Sequence, residues 1–227
     1  MVVRSLFLAS LAIAVASAGC EDFAVPAELD RPQILAIASE PASVAPGERA
    51  RLSILIAGPD GPLTPDAVSW SLTTEPGVPQ LGRIEREGDD AFYVAPAAVD
   101  DDPTGTLIEA EVSAGEVALT GLKAMVVTEL DLQNPVVTAF ERDGQEVERA
   151  ELPVLRGAHF ELAIALAPEA TDDLEVAWYS TSLTIEKYRS HPTEVVVPEE
   201  AEDGWLIAVA RDRGGVGWLA IPVVVRD

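Results

Sequence analysis

The sequence predicts an all-β protein made of two tandem antiparallel sandwiches behind an N-terminal export signal. Short runs of alternating apolar and polar residues recur along the chain, and clusters of turn residues separate them. This period-2 pattern is typical of strands with one buried face, and no run shows the helical period. The same order of strands occurs twice. With 227 residues and 48% hydrophobic side chains, the chain is long enough and apolar enough to form more than one core.

The first nineteen residues, 1–19, are typical of a secretory signal peptide. Arg4 supplies the positive charge, and Leu6–Ala18 is an apolar run that ends in small residues. The run is shorter than the about 20 residues that cross a membrane comfortably. Two alternatives remain open, namely a plain secretory signal that leaves Cys20 free and an uncleaved N-terminal membrane helix.

The small residues lead directly into a cysteine. Ala18-Gly19-Cys20 resembles the lipobox of bacterial lipoproteins, although Ser17 stands where that family usually has leucine. Because Cys20 is the only cysteine, no intrachain disulfide can form, and acylation gives the lone thiol a role. The resemblance implies lipidation of Cys20, a lipidated tether over residues 20–32 and, with Glu21 following the cysteine, delivery to the outer membrane.

The first predicted sandwich, here called the first module, spans residues 33–129. Leu52, Ile54 and Ile56 alternate with other residues, as in a strand that buries one face. A dense turn cluster follows at Gly58–Pro62. Further strands of this kind continue to a closing hairpin.

The second module, residues 134–227, repeats the pattern of the first. Matched positions, with the first-module residue given first, are Val44 and Val154, Gly47 and Gly157, Leu52 and Leu162, Trp70 and Trp178, and Leu107-Ile108 and Leu206-Ile207. Two copies form tandem domains rather than a solenoid, which needs three or more repeats. We expect the modules to follow one another in series behind the tether, with the first module next to the membrane.

One tryptophan in the third strand of each module, Trp70 and Trp178, and the closing hairpin at 206–215 carry a resemblance to known domains. They resemble the immunoglobulin-like and PKD-like domains of bacterial cell-envelope proteins. The resemblance covers nearly all of the chain after the tether. It implies immunoglobulin-like sandwiches, here without the cysteine pair of antibody domains, and it does not by itself imply an activity.

The charge of the chain excludes one class of partner. There are 39 acidic and 15 basic residues, which gives a net charge of −24. Nucleic-acid binding requires a basic surface, so no nucleic-acid partner is expected. An acidic surface of this kind keeps a protein soluble.

The sequence contains no motif for catalysis. His159 and His191 lack a metal-binding spacing, and neither a Gly-x-Ser-x-Gly motif nor a phosphate-binding glycine loop is present. A pair of catalytic carboxylates cannot be singled out among so many acidic residues. We therefore predict that the protein is not an enzyme and has no resident cofactor.

Acidic loop clusters are the candidates for a metal site. Ca²⁺ takes six to eight oxygen ligands, which loop carboxylates can provide. The candidate residues are Asp89, Asp90, Asp100, Asp101, Asp102, Asp172 and Asp173. Solvated acidic loops are the alternative interpretation, since no EF-hand pattern is present.

The closing hairpin of the second module is apolar on both faces. A two-residue turn at Gly214-Gly215 would place Arg211 opposite Trp218, with Ile207 and Val209 on the face of Trp218. A sheet exposed on one side would be polar there, so something should cover this face. The other strands, the first module, or Arg211 stacked on Trp218 could do so. Otherwise the four side chains form a partner-binding patch.

Together these features predict a non-catalytic, lipid-anchored cell-envelope protein with a structural, adhesion or partner-binding role. Its acyl chains would hold it in the membrane, and an envelope protein or glycan is the expected partner. The alternative function is a surface module that binds calcium or glycan.

Overall fold

The computed structural model describes residues 27–73, 81–99, 104–147, 150–167 and 171–227. Every regular element in these ranges is a β-strand, and the described part of the chain holds no helix that could span a membrane. The predicted signal peptide and Cys20 lie outside the described residues.

The first module contains two packed sheets. Its strands are β1 Gln33–Glu40, β2 Ser43–Val44, β3 Arg49–Gly58, β4 Gly61–Leu63, β5 Ala67–Thr73, β6 Arg83–Glu87, β7 Asp90–Val94, β8 Thr104–Ala114 and β9 Val117–Val127. One sheet has the order β1-β3-β7-β6, with β4 paired to β3, and the other has the order β2-β9-β8-β5.

The second module repeats this arrangement. Its strands are β10 Val136–Arg142, β11 Gln145–Glu146, β12 Leu152–Leu155, β13 His159–Ala167, β14 Glu175–Ser180, β15 Thr184–Ile185, β16 Thr193–Val196, β17 Gly204–Asp212 and β18 Gly215–Arg226. The sheets have the orders β11-β10-β13-β16-β15 and β12-β18-β17-β14.

The sheet order is that of an immunoglobulin-like sandwich in both modules. Each module begins with a strand of one sheet, β1 in the first module and β10 in the second. The chain then crosses to the other sheet, where β2 pairs in parallel with β9 and β12 pairs in parallel with β18, the last strand of each module. All other pairs among the strands named above are antiparallel, and the two sheets of each module enclose its core. The predicted fold of two tandem immunoglobulin-like sandwiches is therefore confirmed.

The core of the second module is built around Trp178. This side chain is fully buried, lies 6.1 Å from the ring of Phe140 and donates a hydrogen bond from Nε1 to the carbonyl of Ser190 at 2.7 Å. In the first module Trp70 lies on the equivalent strand, β5, but it is only half-buried at the edge of the core of that module. The two tryptophans thus have equivalent positions and unequal burial.

Strand pairing gives an independent alignment of the two modules. Trp70 on β5 lies opposite Ala110 on β8, and Trp178 on β14 lies opposite Ala208 on β17. Both alanines are fully buried and face inward. These pairs therefore fix which residues of β8 and β17 are equivalent.

The proposed match of Leu107-Ile108 with Leu206-Ile207 is wrong by one residue. Ile108 and Leu206 are the equivalent residues, since each lies two positions before the alanine that pairs with the tryptophan. Glu109 is then the equivalent of Ile207. A shift of one residue exchanges the two faces of a strand, so the correction decides which side chains point outward.

The turn of the closing hairpin also differs from the sequence prediction. Arg211 lies opposite Val216, and Trp218 lies opposite Val209, so the predicted Arg211–Trp218 pair is wrong. The turn residues are Arg213 and Gly214, both with positive φ of 46° and 87°, as a type I′ turn requires. The pairing slips by two residues, which leaves the predicted faces unchanged.

Gly215 misled the prediction because it has a different role. It belongs to β18 and pairs with Asp212. A Cβ at this position would lie 2.5 Å from the carbonyl oxygen of Gln133, in the segment that joins the modules. This glycine therefore admits the linker and does not form the turn.

Candidate functional site

The outward face of the β17–β18 hairpin packs against the first module. Ile207 and Val209 are fully buried there, although they point away from the core of their own module. An apolar cluster joins both modules and consists of Leu29, Leu35, Ala36, Leu55 and Ala57 from the first part of the chain, and Tyr179, Ile207, Val209, Val216, Trp218 and Ala220 from the second. Of the three possible covers for this face, the first module is the one found in the structure. We call this contact the junction.

The residues proposed as a partner-binding patch are thus part of the junction. Ile207, Val209 and Trp218 contact the first module, and Arg211 donates a hydrogen bond from Nη2 to the carbonyl of Leu35 at 2.8 Å. The guanidinium of Arg211 therefore reaches across the junction. Ile207 and Val209 are closed to a partner while the modules are docked, whereas Arg211 and Trp218 keep part of their surface exposed.

A lysine from the first module also enters the junction. Lys123 is 7% exposed, and its Nζ donates a hydrogen bond to the carbonyl of Gly214 at 3.3 Å. Burial lowers the pKa of Lys123 to about 8, and the positive charge of Arg211 acts in the same direction. The sequence held a signal for this residue, because Lys123 occupies an inward position on β9 two residues before the buried Met125.

The linker between the modules is fixed by Asn134. Its Nδ2 donates to the carbonyl of Ser39 at 2.8 Å and to a carboxylate oxygen of Glu40 at 2.7 Å. Its Oδ1 accepts a hydrogen bond from the backbone N–H of Val216 at 2.9 Å. One side chain therefore bonds both modules, and no motif in the sequence marked it.

A cleft of about 510 Å³ opens at the edge of the junction. Its charged lining residues are Lys123, Asp173, Glu175, Arg211, Asp212 and Arg213. Asp173 lies 3.5 Å from Arg213, and Asp212 accepts a hydrogen bond from the hydroxyl of Thr171. With cations and carboxylates in equal number, the cleft is balanced in charge, which suits docking of the modules.

The acidic candidates for a metal site are spread over the molecule. Asp90 binds Arg51 through contacts of 2.5 and 3.0 Å, and Asp173 pairs with Arg213, while Asp89 and Asp172 are exposed. Asp100, Asp101 and Asp102 lie outside the described residues. Among the residues that are described, no group of three or more histidine, cysteine or acidic side chains could hold a metal ion.

The histidines have structural surroundings. Nε2 of His191 accepts a hydrogen bond from the backbone N–H of Ile164 at 3.1 Å, and its ring stacks on Trp178 at 6.5 Å. His159 is exposed at the start of β13. The two residues therefore occupy separate structural positions.

An exposed apolar pair lies on the outward face of the first module. Leu107 is 37% exposed and Leu122 is 60% exposed. Leu107 lies opposite Ala124 and Leu122 lies opposite Glu109, so the two leucines are diagonal neighbours on the β8–β9 hairpin. The remaining outward residues there include the carboxylates of Glu109 and Glu111. We call this surface the β8–β9 face.

Comparison with known proteins identifies similar structures only. No family model and no curated protein matches the sequence. A chimeric titin Z1Z2-Z1Z2 tandem carrying a GRGDS peptide from fibronectin is similar at 18% identity and a TM-score of 0.34, over 87% of this chain and 100% of that one. The tandem Ig repeats of Dlar are similar at 13% identity and a TM-score of 0.31, over 86% of this chain and 97% of that one. The fold assignment itself rests on the sheet order described above.

Proposed function

We propose that the chain is a non-catalytic, lipid-anchored protein of the cell envelope whose docked modules present one stiff surface to a partner. The apolar junction is the observation that carries this proposal. Domains in one chain move relative to each other unless their interface is large and hydrophobic. Here buried aliphatic and half-buried aromatic side chains, reinforced by the bonds of Arg211, Lys123 and Asn134, hold the modules together. Such a unit suits a structural, adhesive or partner-binding role.

Membrane attachment is proposed from the sequence at Ala18-Gly19-Cys20. Two or more acyl chains hold a protein firmly in a bilayer, whereas one chain gives only marginal binding. The net charge of −24 means that an anionic membrane surface repels the folded modules. The lipid would therefore be the attachment. With Glu21 after the cysteine, the family resemblance leaves the outer membrane as the default destination.

The β8–β9 face is the surface that we propose for the partner. Leu107 and Leu122 supply exposed apolar area, and Glu109 and Glu111 place negative charge beside it on β8. A protein with an apolar contact region and basic residues at its edge fits this chemistry. The face belongs to the first module and stays open when the junction is formed.

The anchor is tested by membrane fractionation of wild type and Cys20→Ala, with Ser10→Ala as a control inside the apolar run. Wild type and the control should stay with membranes in high salt and be extracted only by detergent. They should also incorporate labelled palmitate. The Cys20→Ala protein should do neither of these. Firm membrane association of Cys20→Ala, or no palmitate in wild type, would contradict the proposal.

The partner surface is tested by affinity purification of the detergent-extracted protein from native membranes. Leu122→Asp should abolish recovery of the partner. The control is Leu155→Asp, which alters an exposed leucine of the second module and should leave recovery of the partner unchanged. Equal recovery with both variants would exclude the β8–β9 face. Recovery that requires calcium would favour the alternative function, a module that binds calcium or glycan.

A further inference from the structure

The residues just before the first module pair with the second module. Glu28 forms a parallel bridge with Ser180, at the end of β14. The backbone N–H of Ser180 donates to the carbonyl of Ala27 at 2.9 Å, and the N–H of Leu29 donates to the carbonyl of Ser180 at 3.2 Å. These are strand-type hydrogen bonds on the edge of the β12-β18-β17-β14 sheet. Ala27–Leu29 therefore extends that sheet, although it lies far from it in sequence.

The side chains of this segment alternate like those of a strand. Ala27 is 2% exposed and belongs to the core of the second module, and Leu29 is 3% exposed and belongs to the junction. Glu28, between them, is exposed. A passive tether would leave its apolar side chains and backbone groups in water. Here both apolar side chains are buried and the backbone is paired.

The position of β14 explains why such a segment is favourable. β14 is the last strand of its sheet, and an open sheet edge exposes unpaired backbone groups. The edge is covered in two parts, because the N–H of Trp178 donates to the carbonyl of Tyr188, and Ser180 bonds with Ala27 and Leu29. The N-terminal segment thus covers the end of β14 nearest the following loop.

We propose that Ala27–Leu29 is a strap that locks the second module to the N-terminal end of the chain. Combined with the proposed anchor, on which this step rests, the strap holds the second module beside the membrane. Seven residue steps separate Cys20 from Ala27, and an extended chain of that length spans at most about 25 Å. The expectation that the modules follow one another outward in series is then replaced by two modules side by side near the bilayer.

The strap also defines which bonds carry a load on the anchor. Tension applied at Cys20 reaches the bonds between Ala27, Leu29 and Ser180 before it reaches β1, which begins at Gln33. The first structure to yield is then the edge of the second module. Without the strap, the same tension would reach β1 of the first module first.

Hydrogen exchange of backbone amides tests the strap without requiring the anchor. The measurement uses NMR on the detergent-extracted protein and on Cys20→Ala. Ala27→Asp should accelerate exchange at Ser180 by at least about tenfold, because a charge cannot remain in the apolar site. The amide of Trp178, which bonds to Tyr188, should stay protected. The control Glu28→Ala changes the exposed side chain of the strap and should leave both amides protected.

Ala27→Gly provides a second variant in case the aspartate unfolds the second module. It removes only a methyl group and should cause a smaller acceleration confined to Ser180. Unchanged exchange at Ser180 in both variants would overturn the strap, even if Cys20→Ala leaves the membrane as expected. Local exchange at Ser180 together with membrane-bound Cys20→Ala would support the strap and contradict the anchor. The two proposals can therefore fail separately.

The position of the second module at the membrane is tested by energy transfer to acceptor lipids. Acylation would leave no free thiol at Cys20, so Glu200→Cys would supply a single labelling site near the strap. The label should transfer energy strongly in this protein and less strongly after Ala27→Asp is added, because loss of the strap moves the first fixed point of the chain from Ala27 to β1, which begins at Gln33. Weak transfer in both proteins would overturn the side-by-side arrangement.

Discussion

Gly61 of the first module lies directly against the indole ring of Trp205 in the second module. Gly61 begins β4 and has a φ of +95°, and a Cβ added there would overlap the ring atoms of Trp205. Trp205 lies at the start of β17. The tip of the β3–β4 hairpin is therefore fitted to the second module by a residue that has no side chain.

Gly61→Ala should destabilise the docked protein more than Gly88→Ala does. Both glycines have positive φ, +95° and +64°, but a Cβ on Gly88 would meet no atom within 4 Å. We expect about 1 kcal/mol from backbone strain at either site, and a further 1–3 kcal/mol at Gly61 from overlap with Trp205. Urea unfolding measures both free energies. Equal losses would show that the contact with Trp205 contributes nothing.

The two core tryptophans should differ in their contribution to stability. Trp178→Ala should cost about 3–5 kcal/mol, because it empties a fully buried site and removes the hydrogen bond to Ser190. Trp70→Ala should cost roughly half as much, because that side chain is only half-buried. Denaturant unfolding followed by far-UV circular dichroism gives both values. A larger loss at Trp70 would contradict the core assignment.

Asn134→Ala should loosen the junction. The substitution removes bonds to Ser39, Glu40 and Val216, and it leaves the N–H of Val216 without this acceptor. We expect a loss of about 1–3 kcal/mol in the free energy of unfolding. Gln133→Ala is the control, since its side chain bonds only to the exposed Asp131 in the same loop, and it should change stability by less than about 0.5 kcal/mol. Similar effects of the two variants would argue against a special role for Asn134.

Lys123 should make stability rise with pH. Its pKa falls from an ordinary value of 10.5 to about 8 on folding. Below pH 8 the folded protein carries the full cost of a buried ammonium group. Between these two values the folded state releases the proton first, so the unfolded state holds more protons and stability increases with pH. Lys123→Met should abolish this increase and should be more stable than wild type near pH 7.

The experiment compares urea unfolding at about pH 7 and about pH 9.5, with the exposed Lys187→Met as control. The control should retain the rise that wild type shows. The upper pH stays below 10 because burial raises the pKa of Tyr93 to about 12. The unfolded state loses the Tyr93 proton first, so that residue lowers stability between pH 10 and 12. A rise that persists in Lys123→Met would exclude the lysine as its source.

Much of the fold followed from the alternation of apolar residues and from the repeat of Trp70 at Trp178. The faces of the closing hairpin were also predicted, because a pairing error of two residues keeps the same side chains together. The turn was missed, since sequence alone cannot show that Gly215 is small to admit the linker. The alternation on β9 places Lys123 inward, but its bond to Gly214 and the bonds of Asn134 were missed because they are contacts between modules, which no local pattern encodes.

The strap was missed for a related reason. Ala27–Leu29 lies next to prolines and acidic residues, so its composition is that of a linker. The burial of Ala27 and Leu29 depends on an edge strand some 150 residues further along, at Ser180. Local composition describes how a segment behaves in isolation and carries little information about so distant an acceptor.

The outward residues at equivalent positions of the two modules set a limit on how such modules can stack. Ile207 and Val209 in the second module correspond to Glu109 and Glu111 in the first. A further copy docked on the first module in the same manner would have to remove these two carboxylates from water without a partner charge, at a cost of several kcal/mol. The contact that joins the two modules therefore cannot be repeated on the first module. A filament of modules cannot form by this contact.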